Sequence, residues 1–400
     1  MRNKAFNGLS LAGLSATFVG NGIGRFAYVA LMPALIQAGW FSKSDASYLG
    51  VATLAGYLLG APLAHYLTKM YSLRFLLRVA MLLCSMSYLA CALQNKGLPW
   101  FYFWRTMAGV GGAMLMVLAA PAIVIQHREA IRGKVSGIIF SGIGLGAMAS
   151  GTLIPLLISQ SVAAAWLGMG TICLLLTILT WGAWGQEAPA TAKAAAASLE
   201  PMSKKAKVAA FLVLLAYVLN AVGYLPHTLF WIDYIVRELK MPLAAGGFFW
   251  AVFGLGAAVG PLITGTLGDY FGFKRCLMAC FLLKAMGVAL PLFSSSPAAL
   301  FLSSFLVGAF TPGIVAIIST YMLECVGAAR HRKAWSAMTF SFAASQLLAG
   351  YFMAAASVNA ASYRPLFLIS AIALVFSALC IFLVNPKPEP SLELSLKGSH

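Results

Sequence analysis

The stretch LSLAGLSATFVGNGIGRFAYVALMPALI, Leu9 to Ile36, is apolar over its whole length except for a few small polar residues and one charge, Arg25, near its middle. About 20 such residues in a helix cross the roughly 30 Å of hydrocarbon in a bilayer, so the run reads as a membrane span. A guanidinium halfway across is costly, and it marks a functional site. Asn21, Arg25, Tyr28 and Met32 follow one another at spacings of four, three and four, which puts them on one face of a regular helix. The register returns half a chain later, where Asn220, Gly223, Tyr224 and His227 stand at the positions of Asn21, Gly24, Arg25 and Tyr28. Asn220, Tyr224, His227 and Trp231 repeat the face.

Working outward, the rest of the chain has the same character. With 61% hydrophobic and 9% charged residues and a mean hydropathy of +0.88, it departs from soluble domains, which carry roughly 25% charge. The apolar runs number twelve, the first at 8–37 and the last at 363–384. The fold class is therefore an all-α membrane protein of twelve transmembrane helices in two pseudo-symmetric six-helix bundles. Residues 1–185 are expected to form the first bundle, 186–207 a polar, alanine-rich linker, 208–385 the second bundle and 386–400 a tail. Repeats beyond the first helix support this. Arg132, Lys134, Ser136 and Ser141 match Arg332, Lys333, Ser336 and Ser341, while Leu63 to Leu67 lines up with Leu267 to Phe271. Parallel repeats of this kind place a substrate site between the halves, near the midplane.

The formal charge of +17 could suggest a nucleic-acid partner, but alternate loops own the basic residues. Nineteen Lys and Arg fall on one side, five on the other, and Arg25, Arg105 and Lys284 lie inside helices. Under the positive-inside rule both termini are cytoplasmic, and the excess is a topology signal. No nucleic acid is expected as partner; the lipid bilayer is. All seven cysteines fall in or at the ends of spans, so no disulfide is expected. Arg2 and Lys4 before an apolar run imitate a signal peptide, yet the run is too long and has no convincing cleavage site, so it should remain as the first helix.

The segment GTLGDYFGFKR, Gly265 to Arg275, resembles the loop signature of the major facilitator superfamily: a glycine, an aspartate four residues on, another glycine, then basic residues. Gly265 and Gly272 permit close approach and a tight turn. Asp269 can accept from a neighbouring helix N-terminus or pair with Arg275, beside Lys274, in a clasp that closes one gate. In the first half His65 stands where that aspartate would be. RTMAGVGGA, Arg105 to Ala113, resembles the superfamily's fourth-helix motif, although Arg105 lies only about 9 Å below Pro99 and could snorkel to the interface. The glycine-rich fifth helix, Gly137 to Pro155, resembles the family's flexible fifth helix, and close packing alone also explains it. GIGRFAY, Gly22 to Tyr28, resembles the start of the YbfB/YjiJ-like branch. The resemblance implies that helices one, four, seven and ten line a central cavity, which would bring Arg25, Arg105 and His227 to one water-filled space in a monomer of the bacterial inner membrane.

Asn21, Arg25, Tyr28, Arg105, Asn220, Tyr224, His227 and Trp231 are the candidate substrate-binding residues. His227, the one histidine in the body of a span, and Asp233 are candidates for proton coupling, although Asp233 also has Arg237 one turn on. Lys284, on a helix that the resemblance puts at the periphery, reads as snorkelling or locally paired. No phosphate-binding loop, HExxH motif or paired intramembrane carboxylates occur, so an ATP-driven pump, an enzyme, a cofactor and a metal site are not expected. The expected function is secondary transport of a small organic solute by alternating access. The midmembrane charges are mostly positive, with no carboxylate in the body of spans one to six, which favours an organic anion, and arginine offers bidentate carboxylate recognition. The alternatives are proton-coupled efflux of amphipathic or aromatic compounds and, in a different class, a membrane sensor that binds a ligand without moving it.

Overall fold

The computed structural model describes residues 4–128, 131–184, 202–359 and 361–384. Among these, twelve helices are long and apolar enough to cross a membrane. They are Gly8–Gln37, Lys43–Leu67, Leu73–Cys91, Leu98–Val124, Arg132–Ile158, Val162–Thr180, Lys204–Gly223, Leu243–Phe271, Phe273–Phe293, Pro297–Val326, Lys333–Val358 and Arg364–Leu383, here called spans one to twelve. Many begin at a serine whose hydroxyl accepts from a first-turn amide: Ser42, Ser72, Ser161, Ser203 and Ser296 all do so. Each such cap satisfies a backbone donor that a helix N-terminus leaves without an intrahelical partner, a contribution of about 1 kcal/mol.

Two boundaries differ from the sequence reading. The seventh helix starts at Lys204, inside the stretch read as linker, because Ser203 caps it. The remainder of that linker, 186–201, and the tail 386–400 lie outside the described residues. The helix carrying span eleven starts at Ala328, so the basic residues Arg330 and Lys333 belong to a helix rather than to a loop.

Span two packs on span four and span three on spans four and six in the first bundle; span eight packs on ten and span nine on ten and twelve in the second. The bundles meet chiefly where span five runs along span eight and span two along span eleven. Glycine makes the first contact possible. A Cβ on Gly144 would lie 2.2 Å from the Ala258 nitrogen, and one on Gly151 would lie 2.5 Å from the Gly247 carbonyl oxygen, so backbone touches backbone. The close packing read from the glycines of the fifth helix is thus a contact between bundles.

Spans one and seven are interrupted, as spans at a substrate site often are. In span one the α-helix gives way to a π-helix at Phe18–Ile23 and a turn, then resumes at Ala27–Gln37. The carbonyls at this break are taken by side chains: Tyr88 donates to the Ile23 oxygen at 2.6 Å and Arg105 to the Gly24 oxygen at 3.3 Å. In span seven the helix stops at Gly223, with Tyr224 at φ −120° and ψ 4°, and continues as short pieces from Leu225. Pro226, which has no amide hydrogen to offer the preceding turn, sits in that break.

Candidate functional site

Arg25 is half-buried at the contact between the bundles. Its Nη2 donates to Gln346 Oε1 of span eleven at 3.0 Å, and its guanidinium stands 5.5 Å from the Tyr57 ring. Gln346, itself 1% exposed, passes the chain on by donating from Nε2 to the Tyr224 hydroxyl. The next member is Lys284, whose ammonium lies 4.2 Å from the centroid of the Tyr224 ring and donates to Asn220 Oδ1 at 3.0 Å. A polar chain thus runs from span one through spans eleven and seven to span nine. Among the described residues no carboxylate pairs with Arg25, Arg105 or Lys284.

Lys284 takes the second of its two expected readings, paired with Asn220 rather than snorkelling. It is 0% exposed and faces into the second bundle, so it neither snorkels nor lies at the lipid surface. Arg105 does not snorkel either. It is 1% exposed and stands 4.6 Å over the Tyr28 ring, with Tyr88 and Trp166 closing the cage. Its rise along the helix had left snorkelling open, but depth says nothing about azimuth, and this side chain points inward. Its Nε and Nη2 have no partner.

The shared face on span one does not survive the π-helix, which shifts the register by one residue. Arg25 turns to the other bundle, whereas the Tyr28 hydroxyl donates to the Ala46 carbonyl at 2.7 Å within its own. Asn21, buried, keeps an unpartnered Oδ1. Nor do Arg25, Arg105 and His227 share one space. His227 is 0% exposed, exchanges a hydrogen bond between Nε2 and Ser303 Oγ at 2.9 Å, and stacks on Trp231 at 4.2 Å. Trp231 donates to Ser304 Oγ at 2.9 Å. The repeat persists in this separation, since Tyr28 meets Arg105 of span four and Trp166 of span six while His227 meets Ser303 of span ten and Phe367 of span twelve.

Asp233 pairs with Arg237 at 3.4 Å, as the four-residue spacing implies, and it also accepts from the Tyr363 hydroxyl. Glu238 accepts from Ser362 Oγ at 2.6 Å and from the Tyr363 amide at 2.8 Å. Lys43 of span two stands 5.0 Å from the Tyr363 ring, so this cluster joins the bundles. It lines a cavity of about 230 Å³.

The clasp read from Gly265 to Arg275 is only partly built. Gly272, at φ +83°, makes the tight turn. Gly265 has open space where a Cβ would stand, so its expected close approach is absent, and Gly268 is the glycine packed against Phe273 and Ile317. Asp269 is exposed and has no partner among the described residues, so the Asp269–Arg275 pair does not form. Lys274 instead donates to the Val384 carbonyl, at the end of span twelve.

Gln346 and Lys284 are the site residues the sequence reading missed. A carboxamide in the apolar run FAASQLLAG was a usable signal for the first. The second was visible as a cation but was discounted for the helix it sits on.

Residues 17–382 match the family described as "Uncharacterised MFS-type transporter YbfB". The chain belongs to this family. It is a major facilitator transporter and an integral membrane protein with twelve candidate spans. Among solved structures it is similar to the partially occluded inward-open conformation of the xylose transporter XylE from E. coli, with a TM-score of 0.72 and 14% identity over 95% of this chain and 97% of that one. A D-xylose-proton symporter gives a TM-score of 0.70 and 16% identity over 95% of this chain and 97% of that one. At such identities the likeness is one of fold. No curated protein matches the sequence.

Proposed function

We propose that this YbfB-family transporter moves a small organic anion across the bacterial inner membrane by alternating access, with Arg25 holding the anion between the bundles. The observation that carries the reading is Arg25 itself. A permanent cation, half-buried at the bundle contact, it is bound to a neutral amide where a carboxylate would satisfy it far better. Gln346 Oε1 occupies one arm of the guanidinium fork and stands in for a substrate oxygen. Tyr57, Phe26 and Tyr224 supply apolar walls around it. Asn220 joins the polar chain from Arg25 through Lys284, whereas Arg105 and Tyr28 serve to hold span one at its break, and Trp231 to orient His227.

The basic loops put both termini in the cytoplasm. The ring and side-chain contacts between spans two and eleven, Tyr48 with Tyr351 at 5.4 Å and Leu54 with Gly350, then fall towards the outer face. With Asp269 unclasped on the cytoplasmic side, the arrangement suits an inward-facing state of a monomer. Proton coupling, as in the D-xylose-proton symporter of similar fold, falls to His227 or Asp233. The lattice of stacked rings Tyr217, Phe342 and Tyr224, with centroids 4.4 Å apart for the first pair and 6.3 Å for the second, favours a second reading, efflux of an aromatic compound.

Arg25 decides between them. Arg25→Lys keeps the charge but loses the planar fork, and calorimetric titration of the purified variant with a bound organic anion should show at least about tenfold weaker affinity, roughly 1.4 kcal/mol. Arg25→Ala should lose binding. Unchanged affinity in both variants makes Arg25 structural, and a cationic aromatic ligand that prefers Arg25→Ala selects efflux.

A further inference from the structure

We infer that the second bundle carries an anion-binding pole of its own, made by Lys284 and Asn220, and that the substrate is therefore a dianion of the dicarboxylate type whose second carboxylate binds there. The inference rests on the reading of Arg25 as the first pole.

Lys284 is fully buried in span nine, and its ammonium has one hydrogen-bond acceptor, Asn220 Oδ1 at 3.0 Å, besides the face of Tyr224. An ammonium has three donors, and in a low-dielectric interior such a charge is stable only when paired and hydrogen-bonded. A second donor beside it is also unanswered: Asn220 Nδ2, on the same fully buried side chain, has no partner. One carboxylate placed beside Asn220 could accept from Lys284 Nζ and Asn220 Nδ2 together, which would satisfy both groups at once.

The pole is also connected to the first. Tyr224 covers Lys284 with its ring and holds Gln346 with its hydroxyl, and Gln346 holds Arg25. Gln346 and Tyr224 together act as a neutral plug between two cations on different bundles. An anion that displaces Gln346 from Arg25 also frees Tyr224, and with it the cover over Lys284. A monoanion would answer one cation and leave the other buried and unpaired. A molecule with a carboxylate at each end answers both, and it ties the two bundles together only when both ends are engaged.

The test compares each α,ω-dicarboxylate from malonate to adipate with its half-amide, which has the same shape and one charge fewer. Binding is measured by calorimetry on the full chain in lipid nanodiscs. One diacid of the series should bind at least about tenfold tighter than its half-amide. In Lys284→Met the ratio of the two affinities should fall to about one, while Lys284→Arg should keep a preference for the diacid. Equal affinities of every diacid and its half-amide in the unaltered protein overturn the proposal without needing any variant, and so does a preference that persists in Lys284→Met. If half-amides bind and depend on Arg25 but no diacid is preferred, only the second pole is lost. If neither series binds, the anion reading of Arg25 falls with it.

Discussion

Gln346 bridges spans one and seven at the contact between the bundles. Its amide oxygen sits on Arg25 and its amide nitrogen on Tyr224, so it satisfies both groups without adding charge. Gln346→Glu would place a tethered carboxylate on the guanidinium at high effective concentration. Binding of a free organic anion should then drop at least about tenfold, with the protein as heat-stable as before or more so; anion binding that survives unchanged would show that the fork is not the site. His227 poses a different question at the same scale. Ser303 gives its hydroxyl hydrogen to the Gly287 carbonyl, so His227 donates to it from Nε2 while Nδ1 stays unpartnered, a free position for a proton. His227→Gln keeps a hydrogen-bonding side chain but cannot titrate, and it should abolish accumulation driven by a pH gradient in proteoliposomes while leaving counterflow exchange in place. Accumulation that persists moves the coupling to Asp233. Individual residues were the hardest thing to read from sequence. That Arg25 and Lys284 are intramembrane cations was plain; which way each one points depends on the azimuth of its helix, and in span one a single π-turn redirects the residues that follow it.

At the scale of the element, hydropathy made the spans legible, because a segment that crosses lipid must be apolar and satisfy its own backbone. The breaks in spans one and seven were not legible. A glycine run such as GNGIG is equally compatible with close packing, and only the packed partner shows that the carbonyls of Ile23 and Gly24 are met by Tyr88 and Arg105. The loop after span eight shows the converse, a motif whose residues were located correctly but whose bonds are unmade. Asp269 stands free beside the tight turn at Gly272, and we propose that it finds its partner in the other conformation of the transporter. Asp269→Asn should therefore slow turnover and raise cysteine reactivity on the cytoplasmic side more than His65→Ala does, since His65 is also exposed but lacks a carboxylate's charge. Equal and negligible effects of the two changes would remove the clasp.

For the whole molecule, the contact between the two bundles is made of two kinds of piece. Spans five and eight touch backbone to backbone at Gly144 and Gly151, where no side chain could be added. Spans two and eleven touch through Tyr48 and Tyr351 and through Leu54 and Gly350, and the cluster of Lys43, Asp233, Glu238 and Tyr363 lies beyond them on the same side. If the outer face must open for the cycle to proceed, fastening this contact has to stop transport while leaving the inward-facing state intact. The native cysteines are all buried and free, so a pair introduced as Tyr48→Cys and Tyr351→Cys should cross-link with little competition. The expected result is a locked protein that still binds anion from the cytoplasmic side, with affinity within about twofold of the reduced form. Its transport should fall to background and return on reduction. Sustained transport by the cross-linked protein would mean that the contact between spans two and eleven is no gate, and that alternating access, in this chain, is achieved by some other pair of helices.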